Sequence, residues 1–250
     1  MIEFSIIIAS RDLALSPFFS AIKDWPADKD SELIIIDSSF KPQTAERLRD
    51  VDKVKQIIYA PPIREPFVNA PRFSFRRDFN RALNSALVIA DGKYIIRIDD
   101  YILLKENFFE VAREDIKKYS ERLIIGQKAH ENEGEEPWID YFSKRGFHPN
   151  KRYVDIQDSS FTWSFGIASL DILLKINGWD ERYDLGYAGE DSDILARYMV
   201  YTKKPAIFDK QLMGYGLKHD RQAEDIQPAR WIFEATFLEI KCGKTWHIIQ

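Results

Sequence analysis

The residues best equipped for chemistry stand in two acidic clusters. "AGEDSD" places Glu190, Asp191 and Asp193 just ahead of the apolar-periodic run "ILARYMVY". Acids in a first helical turn are stabilised by the helix dipole, by about 0.3–1 kcal/mol each at exposed sites, and one of them can cap the helix. That reading needs no chemistry. It leaves unexplained the glycine and aromatic surround "GWDERYDLGYAG", which would let the backbone bring a carboxylate close to a bulky flat ligand such as a sugar. The second cluster is Asp99-Asp100, after "YIIRI". Adjacent carboxylates repel unless something positive is near. A hard divalent cation takes oxygen ligands and completes its shell with substrate phosphates; a solvated turn at a strand end is the plainer alternative.

Other side chains carry the same two-sided reading. Asp37 ends "ELIIID" and can accept a hydrogen bond from a base or ribose; it equally suits an Asp-Ser-Ser turn. Arg76 and Arg77 have the guanidinium fork that fits a diphosphate, or are plain surface charge. His219 in "LKHDR" suits a metal or a phosphate, or stands in water. Trp163 and Trp179 can stack on sugars, or pack in the core.

The elements that must position these groups alternate. "FSIII" and "ELIIID" are continuous isoleucine-rich runs, as strands buried on both faces require. Between them "LALSPFFSAIKDW" has helix-spaced apolar residues, with Pro17 suited to a first turn. "AERLRDV" reads as a helix and "VKQIIYA" as a third strand. After the basic, proline-rich "PPIREPFVNAPRFSFRR" come a helix, "DFNRALNSALVIA", and a strand, "GKYIIRIDD". The pattern predicts an open, mostly parallel α/β sheet flanked by helices. Further on, "ENFFEVAREDIKKYSERL" reads as a helix and "LIIGQK" as a strand. "AHENEGEEPWIDYFSKRGFHPNKRY" reads as an irregular excursion. "SLDILLKINGW" is a helix stopped by Gly178, and "SDILARYMVYTKK" another. "PAIFDKQLMGYGLKHDR" holds a strand and a loop, and "PARWIFEATFLEIKCG" an amphipathic helix. Ligands of open α/β sheets sit beyond the carboxyl ends of the strands. Ser10-Arg11-Asp12, Asp37-Ser38-Ser39 and Asp99-Asp100 all fall at such ends.

Composition narrows the classes. The 250 residues are 45% hydrophobic and 30% charged, with a formal charge of −4, so no nucleic-acid partner is expected. The single cysteine, Cys242, rules out an internal disulfide framework and a cysteine-rich zinc site. "MIEFSIIIAS" does not read as a signal peptide, and no run approaches a membrane span, so a soluble, cytoplasmic protein is expected. Phosphate-loop, G-x-G-x-x-G, G-x-S-x-G and H-E-x-x-H patterns are absent.

Taken in order, these segments resemble the family 2 inverting glycosyltransferases of the GT-A fold over about residues 3–220. "FSIIIASRD" resembles the opening strand and its polar segment. "ELIIIDSS" resembles the second strand with its base-contacting acid, and "RALNSALVIADGKYIIRIDD" the stretch leading to the D-x-D metal motif. "FGIASLDILLKINGWDERYDLGYAGEDSDILAR" resembles the acceptor-side segment with its "GWDE" and "GED" elements, also similar to a galactosyltransferase-type segment. The resemblance implies a GT-A domain over residues 1–225, with a nucleotide-binding half (1–104) and an acceptor-binding half (105–225), then a helical extension (226–250). It implies transfer of a sugar from a nucleotide-sugar, a UDP-sugar favoured, to a glycan or lipid-linked acceptor, as in polysaccharide biosynthesis. Asp191 is implied as the base and Glu190 as an acceptor ligand, with the order of the two open. Ser10, Arg11, Asp37, Arg76, Arg77, Asn84 and Asp99 are implied on the donor, and Trp163 and Trp179 on the acceptor. Asp100 and His219 are implied as ligands of Mn²⁺ or Mg²⁺. One departure stands out, since the text reads Asp99-Asp100-Tyr101: aligned from "GKYI", Tyr101 replaces the family's second motif acid; aligned from "ILL", Asp100 is that acid and one residue is missing.

Two rivals share these features. A sugar-nucleotide nucleotidyltransferase would carry a glycine-rich loop after the first strand, and "ASRDLALSPFF" has no glycine. A sugar-binding relative without turnover would tolerate the altered motif. The last segment, "ARWIFEATFLEIKCGKTWHIIQ", suits docking on the core or on a second copy in a homodimer; it also suits lying on a membrane surface beside a lipid-linked acceptor.

Overall fold

The computed structural model describes residues 2–10, 22, 28–37, 54–59, 79–130, 151–157, 163, 165–185 and 189–217. The expected helices at "LALSPFFSAIKDW", "AERLRDV" and "PARWIFEATFLEIKCG" lie outside these residues, apart from Ile22 in the first. Arg11, Arg76, Arg77 and His219 also lie outside them.

Among the described residues the strands are β1 (Phe4–Ser10), β2 (Ser31–Asp37), β3 (Val54–Tyr59), β4 (Tyr94–Ile98), β5 (Ile102–Leu104), β6 (Ile124–His130), β7 (Tyr153–Ile156), β8 (Phe165–Ser169) and β9 (Ala206–Gly216). The helices are α1 (Phe79–Ile89), α2 (Phe108–Tyr119), α3 (Leu170–Lys175) and α4 (Glu190–Thr202), with a 3-10 turn at Glu181–Leu185. The strands form one sheet in the order β3-β2-β1-β4-β8-β6-β9-β5, with β7 added on β9. The half β3-β2-β1-β4 is wholly parallel. β8 runs antiparallel between β4 and β6, and β6 and β9 are again parallel. The fold is thus mixed α/β, with the parallel sheet expected from the isoleucine runs and an antiparallel insertion at β8.

Those runs are continuous because both faces of the sheet are covered. One face packs Ile7, Ile34 and Ile95 under α1, α3 and α4. The other packs Ile6, Ile35 and Ile96 against Phe108, Phe109 and Ile116 of α2. Each buried Ile or Phe stabilises by about 1.5–3 kcal/mol relative to an exposed one.

The turn into β4 is held from below. The Ser5 hydroxyl donates to Glu32 Oε1 at 2.6 Å, and Glu32 also accepts the Asp91 N–H at 2.8 Å. Gly92 has no room for a side chain: a Cβ there would lie 2.4 Å from the Ser5 nitrogen. The Ala-Asp-Gly turn therefore fixes where β4 starts, and with it where Asp99 and Asp100 end up.

Candidate functional site

β4 delivers three charged side chains to one region. Asp99 and Asp100 follow its last residue in a tight turn, closed by the Ile102 N–H donating to the Asp99 carbonyl at 3.1 Å. This turn leads into β5, so Tyr101 sits inside it rather than extending the strand. The Tyr101 hydroxyl donates to Asp99 Oδ2 at 3.0 Å, and Lys128 Nζ approaches the same oxygen at 2.9 Å. Burial opposes the charge of Asp99, yet Lys128 and Arg97 outweigh it and hold the carboxyl below its ordinary range. Asp100 turns to β1, where the Ser10 hydroxyl donates to its Oδ2 at 2.5 Å. Ser10 is in register with Asp37 of β2, and both are buried, so among the described residues Ser10, Asp37 and Asp100 share one rim.

The second cluster opens α4. Gly189 precedes it at φ +112°, a conformation that favours glycine, and a Cβ there would come within 2.9 Å of the Tyr183 ring. This sharp entry lets Glu190 and Asp191 lead the helix. Of the three acids, Asp193 has the structural role. It is 1% exposed and accepts from Arg197 Nε and Nη2 at 2.8 and 2.7 Å, one helical turn on. Burial still raises its pKa, despite Arg197. Glu190 is different: burial, then the neighbouring charge of Asp191, pushes its carboxyl up to about 7.

The clusters meet at a residue the motif reading passed over. Arg97 of β4 is 1% exposed. Its Nη1 donates to Asp191 Oδ1 and to the Trp163 carbonyl, and its Nη2 stands 3.6 Å from Asp99 Oδ1. Burial works against its charge, and Asp191 and Asp99 more than offset this, raising its pKa. A charge inside a strand covered on both faces must be paired. An arginine in the isoleucine run "YIIRI" was the available signal.

Three of the residues expected on ligands have packing or hydrogen-bond partners within the chain. Trp163 and Trp179 are 0% and 1% exposed, with ring centroids 5.2 Å apart and planes at 7°. Each covers a face of the other, so in this arrangement they form part of the core and not an open platform for a sugar. Asn84 is engaged as well. Its Oδ1 accepts the Trp179 N–H at 2.8 Å, and its Nδ2 donates to the Trp179 carbonyl and Glu181 at 2.8 and 3.0 Å. It clamps "GWDE" to α1.

The donor set bears on a metal. Mg²⁺-type sites use one or two carboxylates plus substrate phosphates. Asp100, on the strand-end rim, suits that use, while Asp99 is already neutralised by Lys128 and Arg97. Among the described residues no group of three or more His, Cys, Asp or Glu is arranged to hold an ion.

This architecture is shared with glycosyltransferases. Structure 1-349 of S. aureus TarS in complex with UDP-GlcNAc matches with a TM-score of 0.69 at 12% identity, covering 96% of this chain and 66% of that one. A longer TarS structure matches at 0.62 and 12%, covering 87% and 37%. The mannosyltransferase PcManGT from Pyrobaculum calidifontis, in complex with GDP-Man and Mn²⁺, matches at 0.61 and 14%, covering 88% and 58%. At these identities the likeness is one of fold. The chain spans between about a third and two thirds of the length of these structures. No protein-family model matches the sequence, and no curated protein matches it. No helix among the described residues is long and apolar enough to cross a membrane.

Proposed function

We propose that this domain transfers a sugar from a nucleoside-diphosphate sugar to an acceptor hydroxyl, with inversion, as a family 2-like GT-A enzyme. The observation that carries the reading is the meeting of the strand-end acids and the helix-start acids on one buried guanidinium, Arg97. The fold likeness to enzymes whose structures hold UDP-GlcNAc or GDP-Man supports a nucleotide-sugar donor.

The donor lies across the strand ends. Asp37 would accept from the base, with Ser10 and Asp99 on the ribose side, and Arg11, Arg76 and Arg77 would supply the positive charge a diphosphate needs. Asp100, with His219, would hold Mn²⁺ or Mg²⁺. When bound, such an ion offsets the charge growing on the departing diphosphate. Asp191 is the base. One of its oxygens is anchored on Arg97, and the other has no hydrogen bond among the described residues. It takes the acceptor's hydroxyl proton as that oxygen bonds to the anomeric carbon. The bond from that carbon to the diphosphate breaks, and its electron pair leaves with the nucleoside diphosphate. A single displacement inverts the centre. Glu190, which holds a proton near neutrality, binds the acceptor through a hydrogen bond. In this reading residues 1–104 serve as the donor half and 105–225 as the acceptor half, and residues 226–250 would serve for docking on the core, on a second copy or on a membrane surface.

Asp191→Asn tests the reading. It is expected to keep donor affinity and to lower turnover by about 10²–10⁴-fold, the usual worth of a positioned base. Turnover near wild type rules Asp191 out as the base. The rival without turnover is favoured by Tyr101 in the place of the second motif acid, with Lys128 already on Asp99. It expects sugar binding with no release of nucleoside diphosphate.

A further inference from the structure

Arg97 stands where a core residue would cost less. Along β4, Ile95 belongs to the core beneath α1 and α4, and Arg97 two residues on lies on the same side. Burying a guanidinium there costs several kcal/mol unless it is well paired. The pairing is incomplete, since Arg97 Nε is buried without a hydrogen bond among the described residues. What surrounds the group fixes its plane. The Phe79 ring centroid lies 5.2 Å from its Cζ, the Trp179 ring 5.9 Å, and the Trp163 carbonyl accepts from Nη1. The stacked tryptophans thus become the wall that holds the arginine. Held this way, the fork offers Nη1 to Asp191 Oδ1 and Nη2 to the Asp99 side. Asp191 keeps its second oxygen without a hydrogen bond among the described residues, on a side chain that is 14% exposed.

We propose that Arg97 is a positioning residue for the transfer step: its guanidinium anchors one oxygen of Asp191, aims the other at the acceptor hydroxyl, and holds the base in register with the donor-side Asp99. This rests on the proposed transferase reading. It deepens that reading by assigning a role to a residue that touches neither substrate. A structural ion pair would need only charge balance. A positioning role needs the planar fork, which a lysine ammonium lacks.

The test is a cycle of Arg97→Lys, Asp191→Asn and the double variant. Each is assayed by release of nucleoside diphosphate from whichever of UDP-GlcNAc and GDP-mannose the wild type turns over. Nucleotide affinity is measured by calorimetry and folding by circular dichroism. Arg97→Lys is expected to fold, to keep KM for donor and nucleotide Kd within about 3-fold, and to lower kcat by about 10–100-fold, as misplacing a reacting group does. Because Arg97 acts through Asp191, adding Arg97→Lys to Asp191→Asn is expected to lower the residual rate by less than about 2-fold. Three results overturn the proposal. One is an unchanged kcat in Arg97→Lys. Another is a loss confined to donor affinity, which places the effect on Asp99. The third is full additivity with Asp191→Asn, which marks a role independent of the base. If Arg97→Lys does not fold, Arg97→Gln, which keeps a donor for Asp191, replaces it with the same outcomes. Should Asp191→Asn itself retain turnover, the transferase mechanism fails together with the proposal. If Asp191→Asn is inactive and Arg97→Lys is not impaired, only the proposal fails.

Discussion

Helix α1 has no acid in its own first turn. Its free N–H groups are met instead by Asp184, 104 positions along the chain from Asn80. Asp184 Oδ1 accepts from the Asn80 N–H at 2.8 Å and from Asn80 Nδ2 at 2.9 Å, and Oδ2 accepts from the Arg81 N–H at 3.0 Å. This remote cap ties α1 to the 3-10 turn at Glu181–Leu185. Asp184→Ala removes three charge-assisted bonds and leaves the buried Asn80 N–H without a partner. An N-cap deletion costs about 0.5–2 kcal/mol, and hydrogen bonds to charged groups contribute about 1.5–3 each, not additively. The expected loss is about 2–4 kcal/mol. For a chain of this size that lowers Tm by roughly 2–4 °C per kcal/mol, or about 4–16 °C in all. Asp184→Asn is expected to recover little, because its NH₂ would face the Arg81 or Asn80 N–H, donor against donor. Thermal unfolding followed by circular dichroism, with a urea titration for Cm, measures both. A Tm within about 2 °C of wild type for Asp184→Ala would refute the capping argument.

Two further outcomes follow from the site. Glu190 has a folded-state pKa raised from 4.5 to about 7, so its neutral form favours the fold. That contribution is full below about pH 4.5 and is lost as pH rises through 7. Glu190→Gln should therefore flatten the decline in stability between about pH 4.5 and 7.5, by at most about 3 kcal/mol; parallel Tm–pH curves for variant and wild type would contradict it. Gly166, opposite Arg97 in the β4–β8 pair, has φ +155°, and a Cβ there would lie 2.0 Å from the Ile124 carbonyl oxygen. Gly166→Ala is expected to lose about 3–5 kcal/mol or to accumulate unfolded, and a wild-type urea midpoint would speak against the close approach.

How much was legible from the chain varies with the physics of each element. β1, β2 and β4 announced themselves because strands covered on both faces need unbroken apolar runs, and Phe4–Ser10 is buried throughout. β8 was missed. "FGIAS" is short, and Gly166 reads as a turn until β6 is known to press against it. β5 has three residues, too few for any period to show. The stop after α3 was visible at Gly178, but Asn177 also takes a positive φ, 63°, and the helix ends at Lys175. In the site, the acid clusters stood out by spacing alone. The partners that give them meaning did not. Arg97 and Lys128 come from separate strands, and whether a lone cation in a strand points to water or to a buried acid is decided by what covers it. For the tryptophans, spacing alone leaves a sugar platform and core packing both open, and only the stacking of Trp163 on Trp179 shows them as a wall beside Arg97.

The central claim is that the strand-end and helix-start acids act together on a nucleotide-sugar. The most direct measurement is calorimetry and nucleoside diphosphate release with UDP-GlcNAc and GDP-mannose, each with Mn²⁺ and with EDTA, on wild type and Asp191→Asn. The account predicts saturable binding of one donor by both proteins, weakened by EDTA, and release of nucleoside diphosphate by wild type alone. Binding of neither donor, or equal release by both proteins, would contradict it.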